Sequence, residues 1–166
     1  QTSTSSGNAA SVSPNGAAYT TVRTGWNPAL WERVQIDTDI SSIRYWFGMF
    51  SGDPTASATP AVHMAAFRYD TGADGTAFWR CVTKDGTTAT TTTTTTAIAT
   101  SQVYVLRIEI ANFGTSVLFY IDDVLVATHT TNLPTTTQGM GIVNSVTTLT
   151  TAVRGFFFYR YSLTHF

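Results

Sequence analysis

TTATTTTTTTAIAT, residues 87–100, is the stretch on which the reading of this chain turns. A threonine tract is either a disordered, O-glycosylated stalk or part of a pleated sheet. Stalks of the mucin kind are Pro-rich, and this tract contains no proline. Threonine is β-branched, stiff at χ1 and suited to a half-wet pleated surface. The next apolar run, QVYVLRIEI (residues 102–110), alternates like a strand. We therefore read the tract as a strand whose alternate threonines point to opposite sides. A stalk would split the chain in two; a strand leaves one body from Tyr19 onward.

Working outward from the tract, short apolar runs recur, each bounded by Gly, Asp, Asn, Pro or Ser. They are AAYTTVR, LWERVQID, IRYWFGMF, AVHMAAFRYD, TAFWRCVTK, VYVLRIEI, SVLFYI, VLVATH, GMGIVN and RGFFFYRYSL. This spacing predicts an all-β sandwich or barrel. In VYVLRIEI, Tyr104, Leu106, Ile108 and Ile110 share one face, with Arg107 and Glu109 on the other. Asp122-Asp123 reads as a two-residue hairpin loop, pairing Ile121 with Val124, Tyr120 with Leu125, Phe119 with Val126 and Val117 with Thr128. Both faces of that hairpin carry bulk, as does GFFFYRYSL, so both are expected in the interior of the sheets. NPALWERVQI holds at most one helical turn before Val34 and Ile36 favour a strand. The polar opening, QTSTSSGNAASVSPNGAA, has no hydrophobic period and reads as a flexible N-terminal arm over residues 1–18, ahead of one domain over 19–166.

At 166 residues there is room for one domain with a real core. Only 11% of residues are charged, about half the usual share, so Thr, Ser, Asn and Gly must keep the surface wet. That balance suits an extracellular or particle-surface protein. The net charge of −1 comes without any basic block, so the electrostatic footprint of a nucleic-acid binder is missing. No apolar run approaches a membrane span and no signal-peptide pattern opens the chain. The chain begins at Gln1, which is expected of a processed product or a piece of something longer. Cys81 is the one cysteine, which excludes an internal disulfide and a thiolate zinc cage; its strand-like setting predicts a buried thiol. No Asn-x-Ser/Thr sequon occurs.

The order YVLRIEI, GTSVLFYIDDVLVATHTTNLP, GMGIV and FFFYRYSL resembles the second half of a concanavalin A-like jelly roll of the lectin/glucanase or laminin-G-like type. The FRYDTGADGTAFWR hairpin and the threonine tract are similar to modules on bacteriophage tail fibres and capsid surfaces. The resemblance spans roughly Tyr19 to Phe166. It implies an all-β, concanavalin A-like jelly-roll β-sandwich, and it leaves function open, because that sandwich hosts lectins, hydrolases and structural modules. The role it favours is a non-enzymatic structural or adhesion module on a virion surface, of the capsid-decoration or tail-fibre kind. Its partners would be other virion proteins, copies of itself or a cell-surface glycan, with neither nucleic acid nor a membrane span. The alternatives are a free carbohydrate-binding lectin domain and, less favoured, a glycoside hydrolase.

Asp70-Thr71-Gly72-Ala73-Asp74 carries the letters of a viral aspartic protease, whose chemistry needs two such aspartates sharing a proton. Arg68-Tyr69 stand where an apolar strand belongs, and no buttressing apolar-Gly-Arg segment follows, so the segment reads as a hairpin loop. Replacing Asp70 with Asn is then expected to leave no proteolytic change and to cost little stability. A glycosidase normally takes two carboxylates flanking the scissile bond. Glu32 and Glu109 are the only glutamates and fall in different strands; Asp37 and Asp39 read as a strand end. Asp70 with Asp74, or Asp122 with Asp123, offers hard oxygens for calcium, but both pairs fit turns better. His63, His129 and His165 are scattered. No catalytic residue, metal or cofactor is therefore expected. Sugars dock on flat aromatic faces with polar groups alongside, and Trp46 with Arg44, Trp79 and Tyr159 are the candidates; core packing is the competing role for each aromatic.

Overall fold

A computed structural model describes residues 2–3, 9–12, 22–55, 57–75 and 77–165. Strands are β1 (Thr2–Ser3), β2 (Ala9–Val12), β3 (Val22–Arg23), β4 (Pro28–Ile36), β5 (Ile43–Phe50), β6 (His63–Asp70), β7 (Phe78–Asp85), β8 (Ala89–Ala97), β9 (Val103–Ala111), β10 (Ser116–Ile121), β11 (Val124–His129), β12 (Gly139–Thr148) and β13 (Arg154–His165). Among the described residues the one helical element is a 3-10 turn, Thr24–Trp26, so β4 begins at Pro28 where the sequence allowed a helical turn. Two antiparallel sheets form a jelly-roll sandwich. One has the order β1-β13-β4-β9-β10-β11; the other has β2-β12-β5-β6-β7-β8, with β3 also paired to β12.

The threonine tract is β8, an edge strand hydrogen-bonded to β7 on one side. Thr91, Thr93 and Thr95 are exposed, whereas Thr90, Thr92 and Thr96 are half-buried and Thr94 is buried. The inward set closes the side of the sandwich. Thr92 Oγ1 lies 2.9 Å from His129 Nε2, and Thr83 Oγ1 lies 3.0 Å from His129 Nδ1. Thr90 donates to the Thr131 carbonyl at 3.1 Å and accepts from Asn132 at 3.0 Å. Hydroxyls at a half-buried seam supply hydrogen bonds that Val, equally β-branched, cannot.

Between the sheets lies a core of alternating strand residues. From β5, β6 and β7 come Tyr45, Phe47, Met49, Ala65, Phe67, Trp79 and Cys81; from β4, β9 and β10 come Leu30, Val34, Leu106, Ile108, Val117 and Phe119. Most aromatic pairs of the core meet edge to face, as in Phe47–Phe156 at 5.1 Å and Phe67–Phe119 at 5.4 Å between centroids, a geometry ring quadrupoles favour. Cys81 is buried, as expected, and burial pushes its thiol well above the ordinary range.

The opposite face of the β5-β6-β7 sheet is covered from within the chain. In the connection between β5 and β6, residues 57–60 and Val62 lie over Trp46, Phe50, Met64, Ala66, Val82 and Val143. The connection's carbonyls are bound from below: Ser57 by Trp46 Nε1 at 3.3 Å, Ala58 by Arg68 at 2.7 Å and Pro60 by Lys84 at 2.9 Å. Gly48 lets β5 and β6 pack this closely. A Cβ there would sit 2.5 Å from the Ala65 carbonyl oxygen, at a φ of 152°.

Three expectations change. The β10–β11 hairpin starts in the expected register, Ile121↔Val124 and Tyr120↔Leu125, then slips to Phe119↔Ala127 and Val117↔His129. A bulge at Val126 causes the slip; with one extra residue on one strand, His129 turns inward to meet Thr83 and Thr92. β11 is also a sheet edge rather than an interior strand. Among the described residues β13 is flanked outside only by the two residues of β1, which pair with Arg154 and Gly155, so its aromatic length is largely an edge among them. Phe157 and Tyr159 are 64% and 55% exposed. Within the opening segment, β2 pairs with residues 144–147 of β12. The remainder of the expected flexible arm, residues 1, 4–8 and 13–18, lies outside the described residues, as do 19–21.

Candidate functional site

The four sequence candidates separate. Trp79 is fully buried in the intersheet core, against Phe47, Phe67 and Tyr104. Trp46 is fully buried beneath residues 57–60 and Val62, with Arg68 5.4 Å over its ring. Neither offers a face to a sugar. The reason is parity: the two tryptophans fall on opposite faces of the same sheet, and both faces are covered. Arg44 is nearly buried and is ion-paired to Asp70. Tyr159 alone among the four is open to solvent.

Asp70 and Asp74 behave as structural turn residues. Asp70 accepts from the Gly72 and Ala73 N–H groups at 2.8 and 3.1 Å and pairs with Arg44. Asp74 is held by Arg68 and Arg80. Asp70 is completely buried, so its replacement by Asn costs more than the small loss expected from a simple turn. Breaking a buried pair strands the other charge, at about 3–5 kcal/mol. Thermal melting of Asp70→Asn should show a large drop; a change under a degree would mean that Arg44 finds water instead.

The glutamates do not form a hydrolytic pair. Glu32 points between the sheets and accepts a hydrogen bond from Asn144 Nδ2 at 2.8 Å, and burial pushes its carboxyl up to about 8. Glu109 lies on the outer face of the six-stranded sheet, ion-paired to Arg107. Among the described residues no cluster of His, Cys, Asp and Glu forms a metal site.

The outer face of the six-stranded sheet is where exposed chemistry gathers. Odd-numbered residues of β4 and β9 point outward, because their even neighbours fill the core. Trp31 stands directly opposite Arg107, and Arg107 opposite Tyr120, so one row crosses three strands. The next row carries Arg33 opposite Arg160. A bulge on β13 between Phe158 and Arg160 swings Tyr159 onto this face, where its hydroxyl donates to the Gln35 side-chain oxygen Oε1. Each arginine sits over a ring: Arg107 over Tyr120 at 3.8 Å, Arg33 over Tyr159 at 5.5 Å and Arg160 over Trp31 at 6.0 Å. Beside this face a cleft of about 270 Å³ is lined by Asn27, Ala29, Glu109, Ile110, Ala111 and Asn112. Asn27 Oδ1 accepts from the Phe113 N–H at 2.7 Å, which ties the two loops bordering the cleft. Phe113 itself is held at a φ of 55° with its ring 74% exposed, an uncommon backbone conformation for a bulky residue. Sequence reasoning named Tyr159, which is exposed on this face, but did not name Trp31 or the arginines beside it as candidates. Their outward parity was legible in LWERVQID; which sheet face stays open was not.

Comparison with family models and with curated proteins finds no match. Solved structures do match. The carbohydrate-binding module CBM66 from Bacillus subtilis is 16% identical, with 93% of this chain and 76% of that one covered and a TM-score of 0.53. Sheep galectin-11, in complex with glycerol, is 10% identical over 95% and 96% of the two chains, with a TM-score of 0.54. The Crh5 transglycosylase, in complex with NAG, is 11% identical over 99% and 70%, with a TM-score of 0.63. At these identities the likeness is one of fold: a concanavalin A-like jelly roll of the lectin/glucanase kind.

Proposed function

We propose that this chain is a non-catalytic glycan-binding module displayed on the outside of a virion, of the bacteriophage tail-fibre or capsid-decoration kind. Its partners are a cell-surface glycan on one side and other virion proteins or copies of itself on the other. The carrying observation is the open face of the six-stranded sheet, where Trp31, Tyr120 and Tyr159 lie among guanidinium groups beside a largely apolar cleft edged by Asn27, Glu109 and Asn112. Flat rings with hydrogen-bonding groups alongside are what a pyranose needs: apolar C–H groups stack while hydroxyls are oriented. The charge-poor, threonine-rich exterior suits an extracellular particle, and the neighbours named as carbohydrate-binding proteins support the ligand class. The placement of Glu32 inside the core supports the non-catalytic part.

A glycan array tests the reading. Wild-type protein should bind a subset of glycans without releasing reducing ends. Trp31→Ala and Tyr159→Ala should each weaken binding at least about tenfold, the ~1.4 kcal/mol that corresponds to a lost aromatic anchor. Absence of any glycan signal, or turnover of a bound one, overturns it.

A further inference from the structure

We infer that the ligand of this face carries an anionic substituent, a carboxylate or sulfate on the sugar, held between Arg33 and Arg160. The inference rests on the glycan reading above and names the ligand's chemical class.

The two arginines are exposed and stand directly opposite each other on β4 and β13. Like charges in that position destabilise a sheet. Most arginines elsewhere in the chain have a carboxylate: Arg44 has Asp70, Arg68 and Arg80 share Asp74, Arg107 has Glu109, and Arg154 has Asp39. Among the described residues Arg33 and Arg160 have none in ion-pair reach. With only 11% of residues charged, two unneutralised cations facing each other are a feature that the fold itself does not require.

Their surroundings suit an anion on a sugar better than a free ion. Arg33 lies over the Tyr159 ring at 5.5 Å and Arg160 over the Trp31 ring at 6.0 Å. A cation–π contact uses none of a guanidinium's N–H donors as hydrogen bonds to an acceptor oxygen, so those donors remain for a planar or tetrahedral anion. One sugar substituent between the guanidinium groups therefore places its ring among the aromatic side chains. The other ionisable groups of this face are already engaged: Glu109 by Arg107, with Asp123 3.9 Å from the same guanidinium. The field at the Arg33–Arg160 pair is thus positive, although the whole chain carries −1.

The test uses the whole chain at low ionic strength, with polygalacturonate (carboxylate), dextran sulfate (sulfate), neutral dextran and a DNA duplex as probes. One of the two acidic polysaccharides should bind at least tenfold more tightly than dextran, and which one identifies the anion. Arg33→Gln and Arg160→Gln should each abolish that preference, and added salt should weaken wild-type binding. Both variants should melt no lower than wild type, since each removes one of two opposed like charges, so loss of binding cannot be ascribed to unfolding. An acidic preference that survives both substitutions overturns the inference, as does DNA binding equal to that of the acidic glycan. Glycan-array binding that is lost in Trp31→Ala but shows no acidic preference overturns the anion pair and leaves the glycan face standing. No glycan binding of any kind overturns both.

Discussion

Lysine at positions 90, 92 and 94 together is expected to destabilise the fold by at least ~3 kcal/mol, whereas lysine at 91, 93 and 95 should shift the melting temperature little. The two triples have the same composition and lie on the same strand; only parity separates them. Thr90 and Thr92 bind the 131–132 turn and His129, and Thr94 is buried. Three lysines there would face the intersheet seam without a carboxylate, and His129 would lose a hydroxyl partner on a neutral, buried ring. The outward triple faces solvent on an edge strand, where lysine is the residue that sheets use to discourage further pairing. Its one penalty arises at Thr93, directly opposite Arg80, where a like charge costs up to ~1 kcal/mol. Thermal melts of both triples decide the matter, and equal shifts would mean that β8 is not packed as described.

Replacing Glu32 with Gln should remove a pH dependence of several kcal/mol. Burial raises the Glu32 carboxyl from 4.5 in the unfolded chain to about 8 in the folded one. The folded state therefore holds a proton that the unfolded state has already released. Stability from this group is complete below pH 4.5 and declines as pH rises through about 8, at ~1.4 kcal/mol per pH unit between the two values. His129 acts in the opposite sense, because burial lowers its basicity, but only below its ordinary value of 6.5. From pH 6.5 to 8 the Glu32 slope is unopposed. Wild-type stability measured by urea titration should fall across that window, and Glu32→Gln should be flat there and more stable at pH 8. Glutamine can still accept from Asn144 Nδ2, and its amide can donate to Asn144 Oδ1, which has no partner now. A wild-type profile as flat as that of the variant would show that water reaches Glu32.

Period-two alternation identified β9 from the residues alone, because a strand buried on one side imposes its parity directly on its sequence; β8 was legible from its β-branched, proline-free composition, and β4 only from Val34 and Ile36 onward. The same local logic placed the Asp70–Asp74 and Asp122–Asp123 turns and the buried Cys81. It gave the correct faces to Arg107 and Glu109, and it recognised that the two glutamates do not make a hydrolytic pair. The spacing of the runs implied a sandwich or barrel, and the jelly-roll type came only from the resemblance of their order to a concanavalin A-like module, since each is an ordinary strand alone.

What lay beyond the sequence was which faces and edges are covered. Trp46, Trp79 and Tyr159 are equally aromatic and equally strand-borne, yet only Tyr159 meets solvent. Trp79 faces the second sheet, Trp46 is roofed by residues 57–60 through carbonyls accepting from its indole, Arg68 and Lys84, and Tyr159 is turned outward by a bulge. The opposition of Arg33 and Arg160 depends on that same bulge and on the pairing of β13 with β4, which are more than a hundred residues apart in sequence. Alternation is a local property and survives in the sequence. Register, bulges and coverage depend on contacts between distant strands, and only the assembled sandwich decides them.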